Sequence, residues 1–228
     1  VVHDLWRVTE PEAVGDVAKS VASAPVVIAD GHHRYEVAGA YAAEVHSSGA
    51  GDGPWDLVMA LVVELVEDQL TVAPIHRLVA GLPDGFDLVA ALEGSFVVTG
   101  DVDGPVDPAI VSRLVDAGGL ALVTTAGRWL LRPRPETLAR AEHDLDSSVL
   151  DVALAQLPDH QLTYQHGVDN VTAAVAAGSA QAAFLLRPAT VAQIAKVAAE
   201  RDRMSPKTTF FTPKPATGLV FRSVAAAE

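Results

Sequence analysis

The stretch Val26-Val27-Ile28-Ala29-Asp30-Gly31-His32-His33-Arg34-Tyr35-Glu36-Val37-Ala38-Gly39-Ala40 decides how the chain is read. Four apolar residues in a row have the pattern of a short buried strand. Asp30-Gly31 ends it, because glycine takes a sharp turn that other residues resist. The alanine-rich segment Tyr35 to Val45 then reads as a helix, stopped by Ser47-Ser48-Gly49. N–H groups at a helix N-terminus have no partner inside the helix, and the helix dipole favours negative charge there. A strand–turn–helix of this kind is therefore a natural phosphate cradle.

Working outward, Val1 to Val8 reads as a short strand or extended opening. Pro11 to Ala22 reads as a helix with Thr9 as its N-cap, and Pro25 stops it. Leu57 to Val66 and Leu70 to Ala73 read as strands joined around Glu67-Asp68-Gln69, then Phe86 to Leu92 as a helix and Ser95 to Thr99 as extended chain. A helix is expected at Ala109 to Ala117, and a hairpin from Gly119–Thr125 and Arg128–Arg132 around Ala126-Gly127. Further helices are expected at Ser147 to Leu157, at Val168 to Ala177 before Gly178, and from Thr190 to about Arg201. Strands are expected at Gln161 to Tyr164, Gln181 to Leu186 and Leu219 to Val224, with Met204 to Gly218 a Lys/Thr/Pro loop. This alternation predicts an α/β (or α+β) fold, a mixed sheet with helices packed on it. The turn-rich stretch 100–108 suggests a division into parts 1–100 and 101–228.

Composition narrows the function. The chain has 228 residues, half of them hydrophobic and only 5% aromatic, so a core built from Ala, Val and Leu is expected. The formal net charge of −13 and pI of about 4.9 disfavour nucleic acid and anionic membranes as partners and leave a small molecule. There is no cysteine, which excludes disulfides, thiolate metal sites and cysteine nucleophiles. No apolar run reaches the ~18 residues that span a bilayer. No signal peptide is seen, so a cytoplasmic location is the default expectation. The chain opens at Val1 without an initiator Met, which suggests a fragment of a longer protein. The oligomeric state is not set by the sequence.

Around the turn, Gly31 lets a ligand approach the backbone, and His32, His33 and Arg34 add donors, Arg34 with a fork that suits phosphate oxygens. Asp30, at the end of the expected strand, could take a hydroxyl proton or hold a metal ion near phosphates. The plainer reading is that Asp30 caps a helix while Arg34 and Glu36 face solvent. A metal set of His32, Glu36 and His76 is a third reading, without the spacing of a known motif. Elsewhere, Lys207-Thr208-Thr209 to Lys214 suits an anion or is a solvated loop. His76-Arg77 follows Pro74 and reads as a strand end, functional or simply polar. Glu64, inside an apolar run, is a satisfied buried carboxylate or an edge charge. His143, Asp144 and Asp146 read as a solvated helix start, and Tyr164 and His166 as structural.

The segment Ile28-Ala29-Asp30-Gly31-His32-His33-Arg34-Tyr35-Glu36-Val37-Ala38 resembles the signature of the bacterial family known as domain of unknown function 1015. Leu5-Trp6-Arg7-Val8-Thr9-Glu10-Pro11-Glu12-Ala13-Val14, Pro74-Ile75-His76-Arg77-Leu78-Val79 and Ala183-Phe184-Leu185-Leu186-Arg187-Pro188 resemble other elements of it. Met204 to Lys214 with Thr217-Gly218-Leu219 resembles its C-terminal signature. The family's chains are normally longer at the N-terminus. Asp30-Gly31-His32-His33-Arg34 is also similar to the phosphate-holding motif of the ParB/sulfiredoxin superfamily, with Asp30, His32 and Arg34 on its motif positions. That superfamily includes CTP-binding partition proteins, sulfiredoxin and free serine kinases. The absence of cysteine sets sulfiredoxin chemistry aside, and the charge balance sets DNA partition aside.

The resemblance implies a nucleotide- or phosphate-binding protein, with ATP and Mg²⁺ as expected cofactors, that phosphorylates a hydroxyl such as that of serine. Asp30 and His32 would be catalytic, with Asp30 also a metal ligand. Gly31, His33, Arg34, Lys207, Thr208 and Lys214 would hold the nucleotide, and Glu36, His76 and Arg77 the substrate. The alternatives are a non-catalytic nucleotide-responsive module and a structural or interaction domain.

Overall fold

The computed structural model describes every residue except 1, 3, 101, 213, 215 and 225–228. The chain divides into two compact units, residues 1–70 with 213–228, and residues 71–212.

In the first unit, α1 (Pro11–Ala22) forms where expected, but Glu10 rather than Thr9 stands at its N-cap, and Glu10 makes no side-chain capping bond. The residue before a proline is driven extended, and proline itself fits the first helical position, so the helix starts at Pro11. Helix α2 (His32–Ser47) begins three residues ahead of the expected Tyr35. Gly31, with φ of 92°, makes the turn and its carbonyl accepts the Tyr35 N–H at 2.9 Å. Residues 54–56 form a short 3₁₀ turn.

Three expected strands of this unit are corrected. Val26–Ala29, Leu57–Val66 and Leu219–Val224 form no ladder among the described residues. Val26, Val27 and Ile28 are 66%, 40% and 37% exposed rather than buried. An apolar run becomes a strand only where a second edge meets its N–H and C=O groups, and no edge among the described residues does so here. Glu64 is exposed and accepts from Gln69 Nε2 at 3.2 Å. No described residue of this unit is buried.

The second unit is a sheet between helices. In chain order it contains β1 (Thr71–Ala80), α3 (Leu88–Leu92), β2 (Phe96–Gly100), α4 (Ile110–Ala117), β3 (Leu120–Thr124), β4 (Gly127–Pro133), α5 (Pro135–Arg140), α6 (Asp146–Leu154), β5 (Gln161–His166), α7 (Val168–Ala176), β6 (Ala182–Leu185), α8 (Val191–Ala199) and β7 (Thr209–Thr212). The strand order is β2-β4-β3-β6-β1-β5, with β7 paired to β1. Every described pairing is antiparallel.

Side chains on a strand alternate between faces, and two cores follow from that period. Val79, Leu120, Leu122, Leu131, Ala182 and Phe184 face α3 and α6, packing against Leu88, Leu92, Val149, Leu150, Ala153 and Leu154. Their neighbours Leu78, Ala121, Leu130, Ala183 and Leu185 face α4 and α7, against Ile110, Leu114, Val168, Val171 and Val175. The result is a three-layer α/β sandwich.

Two expectations are corrected in this unit as well. Strand β1 does not stop at Ala73 but runs through Pro74 to Ala80. Pro74 is opposite Thr209 of β7, and Ile75, the next residue, is opposite His166 of β5. The proline thus falls where β1 changes partners, the place where a missing N–H is tolerated. The segment read as a loop from Met204 to Gly218 contains β7, built from Thr209-Phe210-Phe211-Thr212. Helix α5, opened by Pro135, was not apparent from the sequence.

Candidate functional site

The candidate residues fall into two groups, one in each unit. The first surrounds the turn before α2. Asp30 Oδ2 accepts from Lys214 Nζ at 2.6 Å, a contact that joins residues 184 positions apart. Arg34, one turn into α2, brings Nη2 to 3.7 Å from Asp30 Oδ1. The Lys214 hydrogen bond leads the effects that hold the Asp30 carboxyl below its ordinary value, with Arg34 and the Gly31 N–H adding to it and partial burial opposing. Gly31 is the N-cap of α2 and offers no side chain to the helix donors. A Cβ on Gly31 would also stand 3.0 Å from the Arg34 guanidinium, so the left-handed turn and the approach of Arg34 both call for glycine here. His32 and His33 open α2 and are exposed, as is Glu36. The turn therefore presents an uncapped helix N-terminus, two imidazoles, a guanidinium, an ammonium and one charged carboxylate.

The second group lies on β1. His76 and Arg77, expected at a strand end, sit in the strand's interior and are each 1% exposed. His76 Nδ1 accepts the Leu186 N–H at 3.1 Å, which fixes the neutral ring with its proton on Nε2. Burial pulls this imidazole down to about 4, and the nearby Arg77 and His166 push the same way. Arg77 Nη1 donates to the carbonyls of Ile75 at 2.8 Å and Lys207 at 3.0 Å, and its guanidinium lies 4.6 Å from the centre of the Tyr164 ring. Arg77 Nε is buried without a hydrogen-bond partner. Burial lowers the guanidinium from its ordinary value, with Tyr164 and Asp151 opposing.

Lys207 is thereby held by its backbone, in a left-handed conformation with φ of 58°. Thr208 gives its hydroxyl proton to the Ser205 carbonyl at 2.6 Å and accepts from Ser147 at 3.0 Å. Burial raises the Asp151 carboxyl, while a Ser205 hydrogen bond and Arg77 oppose that rise. Asp151, Ser205 and Ser147 were not singled out in the sequence. Nothing in their local spacing marks them, since Arg77 and the Thr208 loop bring them together from distant positions.

His143 and Asp146, expected at a solvated helix start, are each only 7% exposed. Asp146 is enclosed because it takes the Arg187 N–H at 2.8 Å and the Arg187 guanidinium at 2.6 Å, a buried carboxylate matched by a fork of donors. Tyr164 and His166 lie in β5, where His166 stacks on Phe210 with ring centres 4.7 Å apart. Among the described residues, the groups able to hold a metal ion are His46 with Asp52 and Asp56, and Glu142 with His143 and Asp202. No described helix is long and apolar enough to cross a membrane.

The fold is thus an α/β one, with a seven-stranded antiparallel sheet. The chain belongs to the family described as Protein of unknown function (DUF1015), which matches residues 1–153. It is similar to a variant of free serine kinase in complex with AMP, at 18% identity and a TM-score of 0.47, over 90% of this chain and 81% of that one. Free serine kinase in complex with AMP matches at 16% identity and a TM-score of 0.47, over the same shares. A conserved hypothetical protein from Pyrococcus furiosus matches at 17% identity and a TM-score of 0.46, over 81% of this chain and 68% of that one. No curated protein matches the chain.

Proposed function

We propose that this protein binds a nucleoside triphosphate at the turn Asp30–Arg34 and transfers a phosphoryl group to a small hydroxyl compound of the serine type. The observation that carries the reading is the placing of Asp30 beside Gly31, between Lys214 and Arg34, at the uncapped start of α2. The α2 N–H groups, His32 and His33 offer hydrogen-bond donors to phosphate oxygens, and Arg34 and Lys214 add positive charge. The similarity of Asp30-Gly31-His32-His33-Arg34 to the phosphate-holding motif of the ParB/sulfiredoxin superfamily supports the same reading.

Phosphoryl transfer through a loose transition state needs positioning and charge neutralisation more than a strong base. A carboxylate held in its charged form suits that task. Asp30 orients the acceptor hydroxyl and receives its proton as the acceptor oxygen bonds to the γ-phosphorus. The bond from that phosphorus to the β–γ bridging oxygen breaks, and the nucleoside diphosphate leaves. Asp30 also fits as one carboxylate ligand of Mg²⁺, an ion commonly held by one or two carboxylates with phosphate oxygens and water, and that ion would neutralise phosphate charge.

The test is a thermal-shift panel of ATP, ADP, CTP, GTP and pyrophosphate with Mg²⁺, followed by an assay of phosphate transfer to hydroxyl compounds. Ligand binding to the folded state raises the melting point by mass action. A nucleotide-specific shift that Arg34→Ala removes is expected, as is loss of turnover in Asp30→Asn with nucleotide binding kept. Full turnover in Asp30→Asn would remove the role given to that residue, and the absence of any shift would remove the nucleotide site.

A further inference from the structure

His46, Asp52 and Asp56 form a group of their own, separate from the turn at Gly31. His46 is in the last turn of α2, Asp56 is in the 3₁₀ turn, and Asp52 is in the loop between them. One possible ligand atom from each lies within 4.8 Å of the other two. The way the ring is held distinguishes this group from a chance meeting of carboxylates. His46 Nδ1 is 3.0 Å from the Ala50 carbonyl oxygen, which can only accept, so Nδ1 carries the proton and donates it. Nε2 is thereby turned toward the carboxylates and lies 2.6 Å from Asp56 Oδ1. The other oxygen of Asp56 is fixed from behind by the Gly53 N–H at 2.7 Å. Metal-binding histidines and carboxylates are oriented in this manner, with the atom not offered to the ion tied to the backbone.

From this geometry we propose that His46 Nε2, Asp52 and Asp56 bind one divalent transition-metal ion of the Zn²⁺ type. One neutral imidazole and two carboxylates bring a charge that balances a divalent cation, and mixed nitrogen and oxygen donors suit Zn²⁺ better than Mg²⁺. A tetrahedral ion with bonds of about 2.1 Å sets its donors roughly 3.4 Å apart. The Nε2–Oδ1 pair therefore opens by less than an ångström as the ion takes the place of the proton between them. The His46 and Asp56 side chains are 38% and 30% exposed, so the ion reaches them directly from solvent. Three protein ligands leave one position for water.

The experiment uses the whole chain, freed of metal and without nucleotide, which keeps it independent of the phosphate reading. Zn²⁺ is titrated calorimetrically, and Co²⁺ is added in parallel to read coordination from its visible absorption. Saturable Zn²⁺ binding is expected, weakened roughly tenfold or more in both His46→Gln and Asp52→Asn, with the Co²⁺ bands lost in each. Asp52→Asn leaves the His46–Asp56 bond in place, so a loss of binding there is not a loss of fold, and circular dichroism verifies that. Absence of saturable Zn²⁺ binding overturns the proposal. So does binding that both variants retain at full strength, which would place the ion elsewhere, as at Glu142, His143 and Asp202.

Discussion

Val26-Val27-Ile28 and Ala182-Ala183-Phe184-Leu185 are comparably apolar runs with opposite fates. The second is 0% exposed at every residue, while the first is exposed along its length. Strand β6 lies between β1 and β3, so its backbone groups are paired on both edges and helices cover both of its faces. Residues 26–28 have no ladder among the described residues. The contrast extends to the units that contain them. One has two packed cores, and the other has no buried described residue. Hydrophobicity alone does not make a strand. A run of this kind needs an edge to pair with and a face to be covered, and both are supplied from far along the chain.

The largest expected effect is in the sheet unit. Phe184→Ala leaves a cavity beneath α6, and a loss of about 3–5 kcal/mol in urea unfolding is expected. A loss below 1 kcal/mol would mean that the core is loosely packed and the contrast overstated. Next is pH. His76 is held neutral in the folded protein down to about 4, while the unfolded chain takes up its proton near 6.5. The unfolded state therefore binds the extra proton between those values. Stability is fully present above about 6.5 and is lost as pH falls toward 4, by on the order of 3 kcal/mol. His76→Gln should flatten that part of the profile, and an unchanged slope would assign it to other groups.

Smaller again is Gly31→Ala, which forces a side chain into the left-handed turn and against Arg34. It should cost roughly 1–2 kcal/mol at the start of α2, read as faster amide exchange there. Equal exchange in the variant would show that the turn tolerates a side chain. The smallest effect is expected for Val62→Ala in Leu57–Val66, the other exposed apolar run of the same unit, within about 0.5 kcal/mol. A cost as large as that of Phe184→Ala would show that this segment is covered in solution and would break the comparison.

Elements held by local chemistry were legible in the sequence. The β3–β4 hairpin formed where its turn residues pointed, and α7 ended before Gly178, whose φ of 72° is a helix-stopping conformation. Elements that depend on distant partners were not. Pro74 argued for a strand end, because the change of partner that accommodates it involves β7 and β5, which lie far along the chain. The four residues of β7, Thr209 to Thr212, are too few and carry no polar–apolar alternation to mark a strand among the lysines and prolines around them. At the candidate site, the special turn at Gly31 was readable from its composition. The Lys214–Asp30 contact was not, since nothing local to either residue indicates it. The same is true of Arg77, whose partners Lys207 and Tyr164 are known only once the sheet is assembled.

Strand β1 also sets a schedule for synthesis of the protein. It is made early, yet the groups it binds come much later: the Leu186 N–H that meets His76 lies 110 positions on, and the Lys207 carbonyl that meets Arg77 lies 130 positions on. At translation rates of ~5–20 residues per second, His76 and Arg77 wait roughly 6–25 seconds for these two groups. The β3–β4 hairpin needs no such wait, so a ribosome carrying a half-made chain holds a finished hairpin beside an unpaired apolar strand. Nascent chains stalled between β4 and β5 are therefore the form of this protein most exposed to chaperones and to aggregation.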